Sequence, residues 1–269
     1  MAWTRIQLLD WVRARIDEVS DITETQTVSS NLIAQEVDEA ALQVYHLARR
    51  PLIYPAGRVH TENAYVTTRS LIIPIQNEFV RFLRVKAYGW EVYAEELIQS
   101  DTNTYNHQRS IYGRADERQP KAALIPFRFT KTVGSVTTQF TQAIELFPRP
   151  ESLTPFERDD SVSGSNANGS AYGLDAYKNT GVTAGKVAIV PELLVVMRDR
   201  LPAANDATVP FPDSLIDAIV WQVAGRALII LRDAGAATAA FQNAVAVMNG
   251  LRYGFRGEEG TVKLGKANG

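Results

Sequence analysis

The stretch NTGVTAGKV, residues 179–187, has the glycines and the lysine of a phosphate-binding loop. That loop needs Gly, four residues, then Gly-Lys-Ser/Thr, so that backbone N–H groups wrap the phosphates and the hydroxyl reaches magnesium. Here three residues separate Gly181 from Gly185, and Val187 stands where the hydroxyl belongs. A Gly-rich turn entering a strand is the expected structure. SGSNANGSAYG, residues 163–173, offers serines and glycines but no Gly-x-Ser-x-Gly elbow between a strand and a helix. The histidines, His46, His60 and His107, lie far apart in sequence, and metal binding needs converging ligands. The acidic pairs Glu95–Glu96, Asp159–Asp160 and Glu258–Glu259 are adjacent residues, which point apart on a strand or helix and make poor acid/base partners. No catalytic residue, metal ligand or cofactor site is therefore expected. A hydrolase acting through dispersed carboxylates stays open as an alternative of another class.

Composition sets further bounds. The chain has 269 residues, 45% hydrophobic and 22% charged, enough for a real core in one large domain or two small ones. A formal net charge of −2 argues against wholesale coating of nucleic acid, and neither zinc-finger spacing nor an RNP-like aromatic strand is present. With no cysteine there is no disulfide frame and no thiolate zinc site. Of the 28 basic residues, 21 are arginine. That bias suits protein interfaces, where the planar guanidinium pairs and stacks, and equally suits a GC-rich genome. The N-terminal MAWTRIQLLDWVRARIDE lacks the apolar core and cleavage site of a signal peptide.

The elements that would position these residues follow from periodicity. A first helix is predicted over Arg5–Val19, with Thr4 and Gln7 as a capping box. A second covers 31–49, capped by Ser29 or Ser30 and stopped by Pro51. Strands are predicted at 70–75, 79–89, 122–130 and 142–148, the last two joined through Gly134, with 90–97 as a continuation after Gly89. Residues 100–119 read as polar loops. The Ser/Gly/Asn-rich residues 156–185 read as a long flexible loop, because such composition buries too little surface to offset its ordering entropy. A strand or short helix follows at 187–197, bounded by Pro191. A fourth helix is predicted over 236–249, with Phe241, Val245 and Met248 on one face and Gly250 as its stop.

The third helix, within VPFPDSLIDAIVWQVAGRALIILRD at 209–233, has hardly any water-facing side. Leu215, Ile219, Val223, Ala227 and Ile230 form one stripe, Ile216, Val220, Ala224 and Leu231 an adjoining one, and Trp221 and Leu228 lie further round. Asp217, Gln222 and Arg226 within a barely sufficient length make a membrane span costly. A helix apolar on so many sides is buried on several of them. Two readings fit: a central core helix, or a helix shared between its own domain and a neighbouring subunit.

The order of elements, with VYHLARRPLIYP closing the N-terminal helix pair, then FVRFLRVKAYGWEV, AIELFPRPESLTPF and PFPDSLIDAIVWQVAGRALIILRDAGAATAAFQNAVAVMNGL, resembles the head–tail connector (adaptor, or neck ring) proteins of tailed bacteriophages. The likeness lies in architecture rather than in any catalytic signature. It implies a non-enzymatic virion protein in the head–tail neck, made in the host cytoplasm. Such proteins form a ring, commonly dodecameric, between portal and tail, extend the DNA channel and dock the next tail component. The expected partners are copies of the chain itself, the portal protein, the next tail or neck protein, and genomic DNA passing without sequence-specific binding, with no membrane. A tail-tube gatekeeper or terminator is the alternative. The expected fold is α+β: a four-helix bundle formed by the N- and C-terminal helix pairs (1–51 and 205–253) with an inserted β-rich domain (52–204), then a flexible tail at 254–269. Leu215, Ile219, Trp221, Val223, Ala227 and Ile230 are the candidate subunit-interface residues. Arg252, Arg256, Lys263 and Lys266 are the candidate portal contacts, by position in the tail.

Overall fold

A computed structural model describes residues 3–19, 29–109, 115–133, 135–161, 163–166 and 174–250. Among these the helices are α1 (Arg5–Val19), α2 (Ser30–Leu47), α3 (Arg50–Ile53), α4 (Asn103–Arg109), α5 (Asp213–Ile230) and α6 (Ala234–Met248). The strands are β1 (Gly57–Val59), β2 (Ala64–Val66), β3 (Leu71–Ile75), β4 (Phe79–Lys86), β5 (Leu97–Gln99), β6 (Lys121–Val133), β7 (Val136–Phe147), β8 (Ser163–Asn166), β9 (Asp175–Tyr177) and β10 (Glu192–Met197). They fall into two compact units, one drawn from residues up to Pro55 and from Asp199 onward, the other spanning Ala56–Arg198.

The expected four-helix bundle with an inserted β-rich domain is not what the chain builds. It is an α+β chain whose described residues hold six helices, a mixed seven-stranded sheet and a three-stranded sheet. In a bundle, each helix buries one stripe toward a shared axis. Here α5 occupies the middle, and α1, α2, α3 and α6 all pack on it. The cause is its sequence: an apolar surface that runs all the way round demands neighbours on every side. The segment between the helix pairs is likewise no simple strand insert, since it carries α4 and packs two sheets.

Local signals work as read at several helix ends. Thr4 N–H donates to Gln7 Oε1 at 3.0 Å and Gln7 N–H to Thr4 Oγ1 at 3.4 Å, a complete capping box on α1. Ser29 caps α2 by accepting from Leu32 N–H at 3.2 Å. Pro51 does not end helical structure but sits in the first turn of α3, where its missing N–H costs nothing. In α6 the buried residues are Ala236, Ala237, Ala240, Ala244 and Met248, while Val245 faces outward. Of the apolar stripe expected through Phe241, Val245 and Met248, Val245 alone turns outward; α6 lies so close to α5 that small residues fill most of the inward face and the Phe241 ring packs at Gly225. A Cβ on Gly225 would sit 2.6 Å from the Phe241 ring.

α5 ends with Arg232 in the left-handed region at φ 64°, and Asp233 N–H reaches back to Leu228 O at 3.0 Å. A side chain pays for that conformation and glycine does not. Arg232→Gly is expected to raise stability by about 0.5–1 kcal/mol, read as a higher midpoint in urea with an unchanged slope.

In the β unit the larger sheet runs β5-β6-β7-β3-β2-β9, with β8 pairing β6. Only β5–β6 is parallel. The smaller sheet is β1-β10-β4, all antiparallel. Strand alternation sends residues to two cores. Ala64, Val66, Leu71, Ile73, Ile75, Ile144 and Leu146 pack with Phe82, Val85, Leu193 and Val195 of the smaller sheet. Tyr65, Ile72, Ala123, Ile125, Phe129, Phe140 and Ala143 face the opposite side, with Tyr105 of α4. Within the loop expected at 156–185, Ser163–Asn166 and Asp175–Tyr177 are strands of the larger sheet. Residues 162 and 167–173, and the tail from 251, lie outside the described residues.

Candidate functional site

The residues singled out on α5 are built into the interior of their own unit. Leu215, Ile219, Trp221, Val223 and Ala227 are buried; Ile230 alone reaches the surface, 48% exposed, beside exposed Ile229. From Leu215 to Leu228 only Asp217 and Arg226 escape full burial. Each has a partner on a flanking helix. Arg15 of α1 reaches Asp217 at 3.3 Å, and Arg226 reaches Glu36 of α2 at 2.9 Å. Gln222 Nε2 donates to Gln43 Oε1 at 2.7 Å, which also accepts from Arg226 at 3.2 Å. The helix thus has no wet face because α1 and α2 complement its few polar groups. Arg252, Arg256, Lys263 and Lys266 lie outside the described residues.

Arg15 is also the centre of an aromatic group. Its guanidinium lies 4.7 Å from the Trp221 ring centroid and 5.5 Å from that of Trp11, and Trp11 in turn packs on Trp3 at 4.4 Å. A cation over the electron-rich face of an indole is attracted to it. The sequence carried a signal: Trp3, Trp11 and Arg15 recur at spacings of eight and four, one face of a helix and its entry. Burial pushes the Asp217 carboxyl above the ordinary range, against the pull of Arg15. Above the ordinary Asp pKa, the unfolded chain holds this group ionised while the folded chain resists it. Stability is therefore lost as pH rises from there through the raised pKa. Asp217→Asn is expected to gain stability over the parent across that window and to keep no pH-linked advantage below it, as melting temperatures across acid to neutral buffers would show.

A second polar group, scattered between residues 60 and 179 and missed from the sequence, gathers in the β unit. Glu62 pairs with Lys131 of β6 at 2.6 Å. Asn63 Nδ2 donates to Asp159 Oδ2 at 2.9 Å, and Asn179 bridges the Glu62 carbonyl and Val190 N–H. His60 Nε2 donates to Pro74 O at 2.8 Å. Burial pulls the His60 pKa down, although Pro74 and Glu62 oppose it, so the ring stays neutral. Beyond it, Glu157 accepts from Lys178 and Thr183, and the Lys178 hydrogen bond first of all pulls its pKa down to about 2. The Tyr65 hydroxyl is buried without a partner. Burial, then the charges of Glu62 and Asp159, push its pKa up, which keeps the phenol protonated and removes it as a base. The arrangement ties the 157–161 and 178–190 segments to β2 and β6. Among the described residues no three His, Cys, Asp or Glu side chains are placed to hold a metal ion, and no helix is long and apolar enough to cross a membrane.

The surface of the helical unit has a different character. α6 carries no ionisable side chain over its 15 residues, yet it turns Ala234, Gly235, Thr238, Gln242 and Val245 to the exterior. Exposed helix faces ordinarily carry charge. Compared with known proteins, the chain matches no family model and no curated protein sequence.

Proposed function

We propose that the chain is a structural protein of a tailed-bacteriophage particle, forming a ring of its own copies between portal and tail and extending the DNA channel. The phage assignment comes from the sequence resemblance. The observation that carries an assembly role is the charge-free outer face of α6, flanked in sequence by exposed Ile229 and Ile230. An uncharged face that leaves Val245 half in water gains when another protein covers it. The earlier interface residues on α5 act from beneath, by holding α6 in place, with Ile230 as the one that reaches a neighbour.

The test uses the full chain, alone at high concentration and mixed with a portal ring. Light scattering and electron microscopy are expected to show closed rings in at least one of the two. Val245→Glu is expected to reduce assembly while leaving the melting temperature within about 2 °C, as exposed sites away from special features usually do. A chain that remains single in both conditions overturns the proposal. Crosslinking to a tail-tube protein in place of the portal would make it a gatekeeper or terminator.

A further inference from the structure

The long β6–β7 hairpin ends in a ribbon with two open margins. Over Phe129–Thr132, β6 is flanked on one side by β8 and on the other by β7. β3 pairs with β7 only from Gln142 to Leu146, so Val136–Phe140 of β7 has no strand beyond it among the described residues. β8 likewise has no strand on its far side there. Val136 is 65% exposed, and residues 135–139 are all exposed.

Free strand edges are ordinarily blunted by charge, by proline or by a covering element, because unpaired N–H and C=O groups template further pairing. Among the described residues neither margin has these devices. Val136–Phe140 reads VTTQF and β8 reads SGSN, without a charge or a proline. The ribbon's one cation, Lys131, is on the middle strand and is engaged by Glu62 at 2.6 Å. The threonines and valine also favour extended backbone.

We infer that these margins meet between copies: the β7 edge of one chain lies beside the β8 edge of the next. Both strands run antiparallel to β6, so they run the same way, and the joint is a parallel pair. The occupant is a second copy because that copy brings an uncharged, open edge on the opposite margin of the same ribbon. A β7-to-β7 joint would satisfy one margin and stop at two chains, leaving both β8 margins open. The β7-to-β8 joint uses both and repeats, which is the heterologous contact a closed ring requires. The inference rests on the ring reading and adds how the copies are stitched.

Because the chain has no cysteine, thiol crosslinking is clean. Thr138 and Gly164 both stand opposite Lys131, so Thr138→Cys and the neighbouring Ser165→Cys mark the two margins at similar height. Assemblies formed from an equal mixture of the two variants are expected to give a two-chain product with a short bismaleimide, and neither variant alone is. In parallel, Thr137→Lys with Gln139→Lys is expected to weaken assembly by about tenfold in concentration, with an unchanged melting temperature. Crosslinking of Thr138→Cys alone overturns the head-to-tail joint in favour of paired β7 edges. Rings that form normally with both lysines and give no mixed crosslink overturn the joint and leave the ring reading standing. Chains that never associate overturn both.

Discussion

Ala224→Glu is expected to leave little or no folded protein, whereas Gln242→Glu on the exposed face of α6 is expected to be nearly neutral. Ala224 is 0% exposed, in the middle of α5. The two charges α5 carries between Leu215 and Leu228, Asp217 and Arg226, have ion-pair partners on α1 and α2; a carboxylate at 224 would have none in its buried setting. Burying an uncompensated charge costs about 3–5 kcal/mol, and forcing a larger side chain into a packed interior adds about 1–3 kcal/mol. The next residue, Gly225, already lets α6 approach so closely that even a methyl group would strike Phe241. Against a total stability of roughly 5–15 kcal/mol, that loss is decisive. Circular dichroism and thermal melts read it directly. No side-chain change in the Ser/Gly-rich residues 161–173 is expected to approach it, and a variant at 224 that melts within a few degrees of the parent would show that α5 is not the helical unit's centre.

What the sequence conveyed about the fold depended on whether a signal was local. Capping at Thr4 and Ser29, the break at Pro191 and the positive-φ stop at Gly250 need only a few neighbouring residues, and they appear where expected. Strands expected at 70–75, 79–89 and 122–130 appear as Leu71–Ile75, Phe79–Lys86 and Lys121–Val133, whereas the one expected at 142–148 starts at Val136 and the continuation expected at 90–97 is a strand only at Leu97–Gln99. α4 was lost in a segment read as loop, because NTYNHQR has weak helix formers and one apolar anchor, Tyr105, whose burial is decided by the sheet beneath it. The all-round apolar surface of α5 is legible in the sequence, and its consequence is architectural. A helix that must be covered on every side becomes a centre, which excludes four equivalent staves. α6 was legible in part: Met248 is buried and the Phe241 ring packs on α5 at Gly225, while Val245 of the same stripe turns outward and alanines fill the rest of the inward face.

The site-level features were less legible for the same reason. The Glu62–Lys131 pair joins residues 69 positions apart and Asn63–Asp159 joins residues 96 apart. No periodicity links them; the register of the sheet does. The open margins at β7 and β8 are a property of which strand stops short of which, so they exist only once β3 is seen to end at Ile75 against Gln142. The charge-free run of α6, by contrast, was in plain view, and its meaning waited on knowing which side faces out.

The second large effect is expected at Glu145, a carboxylate that is 2% exposed near the C-terminal end of β7. A buried charge survives only if its oxygens are satisfied. Here Ser70 Oγ donates to Oε1 at 2.6 Å and Tyr105 Oη donates to Oε2 at 2.7 Å. Ser70 is held in turn by Thr67, whose hydroxyl lies 2.7 Å away. The group joins the β2–β3 turn, β7 and α4, three parts with no sequence proximity. Tyr105→Phe removes one donor and keeps the ring packed near Phe147. The expected loss is about 1.5–3 kcal/mol, the range for a hydrogen bond to a charged group. It should be accompanied by faster amide exchange in α4, which Tyr105 anchors. Glu145→Gln needs the same hydroxyls less, so adding Tyr105→Phe to Glu145→Gln should cost clearly less than Tyr105→Phe alone, the non-additivity of a shared network. An equal, non-zero cost in both backgrounds would mean that the Tyr105 hydroxyl stabilises the unit independently of the Glu145 carboxylate, and no cost in either would mean that Tyr105 acts through its ring alone.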